Sequence, residues 1–244
     1  MKHVLGLMVS SATYRQDSRL SDELAQLDPR NELYARGARF RLPAETIRDN
    51  ALAAAGLLSS KMYGPPVMPY QPPQIWHAVG RNPPKWEAAL DEDRFRRGIY
   101  VVWRRAAPYA SFVTFDAPDR AACTVARSRT NTALQALALL NDPAYFEAAL
   151  ALADRALRES PADPIGRAFE LVLARPLRTE ERELLGAALT ERRAYYHQHP
   201  ELAVETIRAA SSVFQPICSD NVELAACLHL AHVLLNLDET VTKE

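Results

Sequence analysis

DPAYFEAALALADRALRESPADPIGRAFELVLA, residues 142–174, contains two helix starts of one kind: Asp142-Pro143 and Asp163-Pro164 each set a capping carboxylate before a proline. Proline at the first helical position forfeits no hydrogen bond, because that amide has no intrahelical acceptor, and the preceding aspartate accepts from the open amides that follow. After the first start, Tyr145, Phe146, Ala149, Leu152, Ala153 and Leu157 keep the spacing of one helical face. Burying one such Leu or Phe contributes about 1.5 to 3 kcal/mol, so packing rather than intrinsic propensity sets the fold. The stretch predicts helices over 143–159 and 164–174.

The same punctuation continues on both sides. Thr179-Glu180-Glu181 offers a cap with acidic residues in the opening turn, predicting a helix over 180–198. Further helices are expected over 132–141, 201–214 and 221–238, the last with Leu224, Leu228, Ala231, Leu234 and Leu235 on one face. Upstream, Pro43 suits a first turn, Glu45 complements the helix dipole, and Ile47, Ala51, Ala54 and Leu58 keep helical spacing, with Gly56 weakening the end. The opening MKHVLGLMVS carries Val4, Leu5, Met8 and Val9 and reads as an amphipathic core helix. Its apolar run is interrupted by Gly6 and passes into a charged stretch, so it is not read as a signal peptide. Nothing approaches the roughly 18 apolar residues of a membrane span.

Two stretches break the helical pattern. Seven of the 17 prolines fall between Pro65 and Pro84. Each removes a donor and restrains its predecessor, so residues 59–93 are expected to form a long loop packed over the helices, with Tyr63, Tyr70, Trp76 and Trp86 supplying buried rings. Next comes RRGIYVVWRRAAPYASFVTFD, residues 96–116, rich in β-branched and aromatic side chains, where 99–103 and 111–115 read as two strands of a short hairpin. The expected fold is mostly α: a multi-helix globular bundle with a long proline-rich loop and one short β-hairpin. Its zones are an N-terminal helical segment (1–58), the loop (59–93) and an arginine-rich hairpin with C-terminal helices (94–244), together forming one structural domain.

Composition excludes several classes of function. The 244 residues are 48% hydrophobic, enough for a real core, and 29 basic against 30 acidic side chains leave no global field to draw the protein to nucleic acid or an anionic membrane. Any electrostatic partner must be met by a local patch. Cys123, Cys218 and Cys227 show no CxxC or CxxCH spacing, and pairing of Cys218 with Cys227 is left open. His229 and His232 sit three apart without an evident third ligand, so no metal site is expected. Walker, dinucleotide, GxSxG and HExxH motifs are absent, and eight glycines leave no glycine-rich phosphate cradle.

The richest polar stretch is FDAPDRAACTVARSRTNTALQALALLND, residues 115–142. Thr130, Asn131 and Thr132 are all capping types at the start of a helix carrying Leu134, Leu137 and Leu140. A helix N-terminus presents open amides and partial positive charge, and Arg127 and Arg129 precede it, with Arg94, Arg96, Arg97, Arg104 and Arg105 upstream. The candidate ligand-binding set is Arg97, Arg104, Asp116, Asp119, Arg127, Arg129, Thr130, Asn131, Gln135 and Asn141. The plainer reading gives the arginines acidic partners or solvent and the threonines a capping role. Asp116 and Asp119 can be taken as an acid and base pair, but Asp-Ala-Pro-Asp is also a turn in which each carboxylate bonds nearby amides.

Six ordered segments, SATYRQDSR, RFRLPAETIRDNAL, GPPVMPYQP, RRGIYVVWRR, FDAPDRAACTVARSRTNTALQALALLND and LLNLDE, together resemble the C-terminal domain of planctomycete cytochrome c-type multidomain proteins, domain of unknown function 1553. The chain resembles a version lacking the opening section of that domain. Relatives of this kind are often preceded by a haem-binding cytochrome c-like domain; no CxxCH occurs here, so haem is implied only on a separate or missing domain. The resemblance differs at Cys227 and His232, where the family pattern often has tryptophan and arginine, and it brings no activity to transfer. It implies an extracytoplasmic setting and a cytochrome c-like domain or upstream part of the same architecture as partner.

The expected function is therefore a helical accessory or ligand-binding module of an exported, cytochrome-associated system, taking an anionic or carbohydrate ligand. One alternative is a polysaccharide-directed hydrolase using Asp116 or Asp119. Another is a protein-protein interaction module.

Overall fold

A computed structural model describes residues 1–71, 86–105 and 107–243 of the chain. The elements run α1 Lys2–Ser10, α2 Asp22–Leu27, β1 Phe40–Arg41, α3 Ala44–Ala55, α4 Ala110–Thr114, α5 Ala133–Asn141, α6 Pro143–Glu159, α7 Pro164–Leu173, α8 Thr179–Gln198, α9 Pro200–Ala210, α10 Asn221–Leu235, α11 Asp238–Val241 and β2 Thr242–Lys243. The fold is mostly α, as the sequence predicts.

The two Asp-Pro starts behave as expected. Asp142 accepts from the Ala144 amide at 2.9 Å and Asp163 from the Gly166 amide at 3.0 Å. The helix they open first, α6, is the centre of the core. It packs on α10 and also touches α3, α5, α7 and α9. The small side chains Ala148, Ala149, Ala151, Ala153 and Ala156 of α6, and Ala225, Ala226 and Ala231 of α10, are buried and let these helices approach closely. Leu150, Leu152, Leu224, Leu228 and Leu234 fill the space between, each fully buried.

Two carboxylates of α6 are buried with this core and serve the chain between α9 and α10. Glu147 Oε1 accepts from the amides of Val213 and Phe214, at 2.6 and 2.8 Å, and Asp154 Oδ1 from those of Ile217 and Cys218, both at 2.8 Å. These bonds explain why the helix expected over 201–214 stops at Ala210: the amides of its last expected turn have other acceptors. The helix expected over 221–238 likewise divides at Asn236, and α11 follows. Gly56 ends α3 in the left-handed conformation, φ +75°, which makes it the terminating cap.

Three expectations are corrected. First, the hairpin is not formed. Residues Gly98–Tyr100 make a 3₁₀ turn, and Ala110–Thr114 is the helix α4. Tyr109, Phe112 and Phe115 are spaced three apart, so a helical turn buries all three rings, whereas a strand would split them between two faces. Val101 instead bridges Val67 of the proline-rich loop in parallel, with the Val67 amide on Tyr100 O at 2.8 Å and the Val102 amide on Val67 O at 2.9 Å. The sheet that does form pairs β1 with β2, antiparallel, Phe40 opposite Lys243 and Arg41 opposite Thr242. Second, α1 is helical but not a core helix, for none of its residues is buried. Third, Tyr63 is exposed, 82%, where the sequence suggests a buried ring.

Part of the described loop packs as expected, while residues 60–66 and Leu90 are exposed. Val67 and Gln71 are buried, and Trp86 stacks on Tyr109 at 6.0 Å between centroids while its indole donates to Pro69 O at 2.7 Å. Trp76 lies outside the described residues. Cys123, Cys218 and Cys227 are free thiols.

Candidate functional site

Asp116 is the organising residue of the polar stretch. Its backbone is left-handed, φ +61°, a region that aspartate tolerates better than most side chains. One carboxylate oxygen accepts from the Thr130 amide at 2.7 Å, and both accept from the Thr130 hydroxyl, at 3.0 and 2.8 Å. This closes residues 116–130 into an exposed loop. At the root of the loop Thr132, not Thr130, caps α5, accepting from the Gln135 amide at 3.3 Å.

Gln135 is buried at 1% exposure beneath that closure. Its side-chain nitrogen donates to Thr114 O at 3.0 Å and Thr130 Oγ1 at 3.1 Å, with a longer contact to Asp116 at 3.4 Å. These acceptors fix the amide's orientation. Its oxygen, Oε1, has no hydrogen-bond partner among the described residues. A buried acceptor left open costs free energy that a donor from outside relieves.

Gln135 lines an open cavity of about 560 Å³ together with Arg41, Leu42, Pro43, Ala44, Phe115, Asp116 and residues 125–129. Three arginines reach its wall. Arg127 pairs with Glu45 at 2.7 Å, and Arg41 pairs with Asp238 at 3.1 Å while its Nε is buried without a partner among the described residues. Arg129 lies over the Phe40 ring, 4.6 Å from the centroid, with no carboxylate partner among the described residues. The start of α3 also meets the cavity at Ala44. Its N-cap is Pro43, which supplies no side-chain capping bond, so the positive end of this helix is open on the same side as the arginines.

The structure thus divides the sequence-derived set. Asp116, Arg127, Arg129 and Gln135 share the cavity, and Thr130 is tied to its edge through Asp116. Asp119 accepts from the Ala121 amide at 2.9 Å and belongs to the loop beyond. Asn141 bonds Leu137 O at the far end of α5. Asn131 is exposed, and neither it nor Arg97 and Arg104 lines the cavity. Of the other arginines, Arg94 and Arg96 are buried structural cations: Arg94 pairs with Glu147 at 2.9 Å, and Arg96 donates to Pro65 O at 3.1 Å and lies over the Tyr100 ring at 3.9 Å. Sequence reasoning missed Arg41 and the open start of α3. The signal was Arg41-Leu42-Pro43, where proline in the capping position leaves the first turn without a side-chain acceptor.

Asp119 bonds as a turn carboxylate, to an amide two residues on, whereas Asp116 reaches across the loop to the amide and hydroxyl of Thr130, 14 residues away, instead of the neighbouring amides its turn sequence suggests. The two histidines of α10 are likewise engaged. His232 donates from Nε2 to Leu139 O at 3.0 Å, and His229 Nε2 lies 2.6 Å from the Tyr196 hydroxyl, which in turn meets Thr206 Oγ1 at 3.1 Å. Burial holds the pKa of both rings below the ordinary histidine value. Burial pushes the Cys227 thiol well up, and Glu223 beside it adds to the effect, so this sulfur is a poor nucleophile. Among the described residues no cluster of three or more His, Cys, Asp or Glu can hold a metal ion, and no helix is long and apolar enough to cross a membrane.

Fold and site together describe a helical protein with a cavity of mixed apolar and polar lining, reached by three arginines, at the junction of α3, the 116–130 loop and α5. The chain belongs to the PSD1 family, proteins of unknown function (DUF1553), whose model matches residues 1–189. No curated protein and no solved structure matches it.

Proposed function

We propose that the protein is a ligand-binding module whose cavity takes a small anion that also carries a hydroxyl donor, as an acidic sugar does. The observation that carries this reading is Gln135 Oε1, a buried acceptor without a partner among the described residues, on a side chain that lines the same cavity as Arg127 and Arg129. An anionic group faces the arginines and the open start of α3, and a hydroxyl completes Gln135. A hydrolase reading with Asp116 or Asp119 draws little support from two carboxylates already committed to structural bonds, Asp116 to Thr130 across the loop and Asp119 to the Ala121 amide.

The test is titration of the protein with glucuronate, glucose and inorganic sulfate. Glucuronate is expected to bind more tightly than either. Unchanged glucuronate binding in the Arg127→Ala/Arg129→Ala double variant overturns the reading.

The six ordered segments support placing this module beside a haem-carrying, cytochrome c-like partner in an exported planctomycete system. An adjoining coding sequence with a CxxCH motif supports that setting; neighbours with neither this motif nor an export signal count against it.

A further inference from the structure

A second open cavity, of about 660 Å³, is walled by Tyr14, Arg30, Arg36, Arg39 and Lys243 among others. The two cavities meet the chain next to Phe40: Arg39 precedes it and lines the second, Arg41 follows it and lines the first, and both arginines pair with Asp238. Phe40 joins them. Its ring carries Arg129 from the first cavity, 4.6 Å from the centroid, and Lys243 from the second, at 5.7 Å; Lys243 also sits 4.6 Å over Tyr14. Lys243 is opposite Phe40 in the ladder, so sheet pairing fixes this stacking. Neither Arg129 nor Lys243 has a carboxylate partner among the described residues. Two cations held on one ring, neither paired with a carboxylate among the described residues, form a charged path from cavity to cavity.

We infer that the two cavities are halves of one groove that binds an acidic oligosaccharide across Phe40. This rests on the reading of the first cavity as an anion site and extends it to a chain. The lining mixes cations with the neutral polar side chains of Gln16, Ser18, Asn31, Ser128 and Gln135. That pattern suits charged groups separated by neutral hydroxylated rings. A nucleic acid, with a charge on every unit, is met by denser basic surfaces, and here 29 basic residues are balanced by 30 acidic ones.

The test uses the full chain with galacturonate, its trimer and its hexamer, with a neutral glucose hexamer and oligodeoxythymidylate as controls. Affinity is expected to rise by about tenfold or more from monomer to hexamer, as joined subsites act on one chain. Lys243→Ala/Tyr14→Ala, checked for an unchanged melting temperature, removes that gain and leaves monomer affinity within about twofold, while Arg129→Ala weakens monomer and hexamer alike. A hexamer no tighter than the monomer, or a gain that survives Lys243→Ala/Tyr14→Ala, overturns the groove and leaves the first cavity's reading standing. Galacturonate that fails to bind, or binds independently of Arg127 and Arg129, overturns both. Tighter binding of oligodeoxythymidylate or of the neutral hexamer than of the acidic hexamer also overturns the proposal.

Discussion

Arg94 and Glu147 form an ion pair inside the protein, Nη2 to Oε2 at 2.9 Å, with the two side chains 4% and 1% exposed. The pair joins the arginine-rich segment to α6, and Arg94 extends it to the end of α9 by donating to Ser212 Oγ at 2.7 Å. Removing one member of such a pair strands a buried charge, at a cost of about 3–5 kcal/mol. Glu147→Ala is expected to show that loss in urea unfolding, because it also opens the amides of Val213 and Phe214. A loss below about 1 kcal/mol contradicts this account.

Gly98 sets the floor beneath the start of α3. A Cβ there would meet Glu45 Cβ at 2.9 Å, Glu45 Cα at 3.1 Å and the edge of Phe112 at 3.1 Å. Gly98→Ala is expected to cost about 1–3 kcal/mol by overpacking and to shift Glu45, the partner of Arg127. Thermal unfolding reads the first effect and anion titration the second.

Glu45 also occupies the arginine that the proposed ligand needs. Glu45→Gln releases Arg127 from its 2.7 Å pair and removes a negative charge beside the cavity. Glucuronate affinity is expected to rise about two- to fivefold, the scale of a part-exposed ion pair, and to fall again on adding Arg129→Ala.

His229 and His232 make stability depend on pH in a fixed direction. Burial lowers both pKa values in the folded state, with Arg192 adding to the effect on His229 and the Leu139 carbonyl opposing it at His232. Just below 6.5 the unfolded chain therefore binds protons that the folded chain refuses, so stability rises with pH through this window and falls on acidification. The melting temperature is expected to drop between about pH 7.5 and pH 5, and the drop to shrink in His229→Gln/His232→Gln. Asp49 and Asp142 act in the opposite sense further into acid, since burial raises their pKa values and the folded chain takes up those protons first.

In α1, Leu5 and Met8 are 52% and 57% exposed. Leu5→Glu/Met8→Glu is expected to change the stability of the isolated protein by less than about 0.5 kcal/mol, as for surface positions generally. A larger loss by urea unfolding shows that the helix packs.

What the sequence revealed was local. Asp142, Asp163 and Thr132 announce helix starts because a cap acts within three residues of itself, and the spacing of Leu224, Leu228, Ala231 and Leu235 gives the buried face of α10. The 99–115 region misled because β-branched composition outweighed the spacing of Tyr109, Phe112 and Phe115, which was helical. Four cavity residues were legible because Asp116, Arg127, Arg129 and Gln135 lie in one stretch. Arg41 and Glu45 were not, since their place depends on contacts with Asp238 and Arg127, far away along the chain. For the same reason the β1–β2 ladder, which pairs residue 40 with residue 243, leaves no short-range signature.

The carboxylates of Glu147 and Asp154 stand two turns apart on α6. Each grips two consecutive amides of the connection to α10, 213 and 214 by one and 217 and 218 by the other. The helix therefore acts as a ruler for a segment with no regular structure of its own: the distance between the clasps fixes how much chain fits between them. A residue inserted among 214–217 must bulge outward or pull one clasp open, whereas the exposed 117–129 loop, closed only at its root by Asp116 and Thr130, can change length without such a penalty. Variation in length among related chains should accordingly gather in the loop beside the cavity and spare the measured connection.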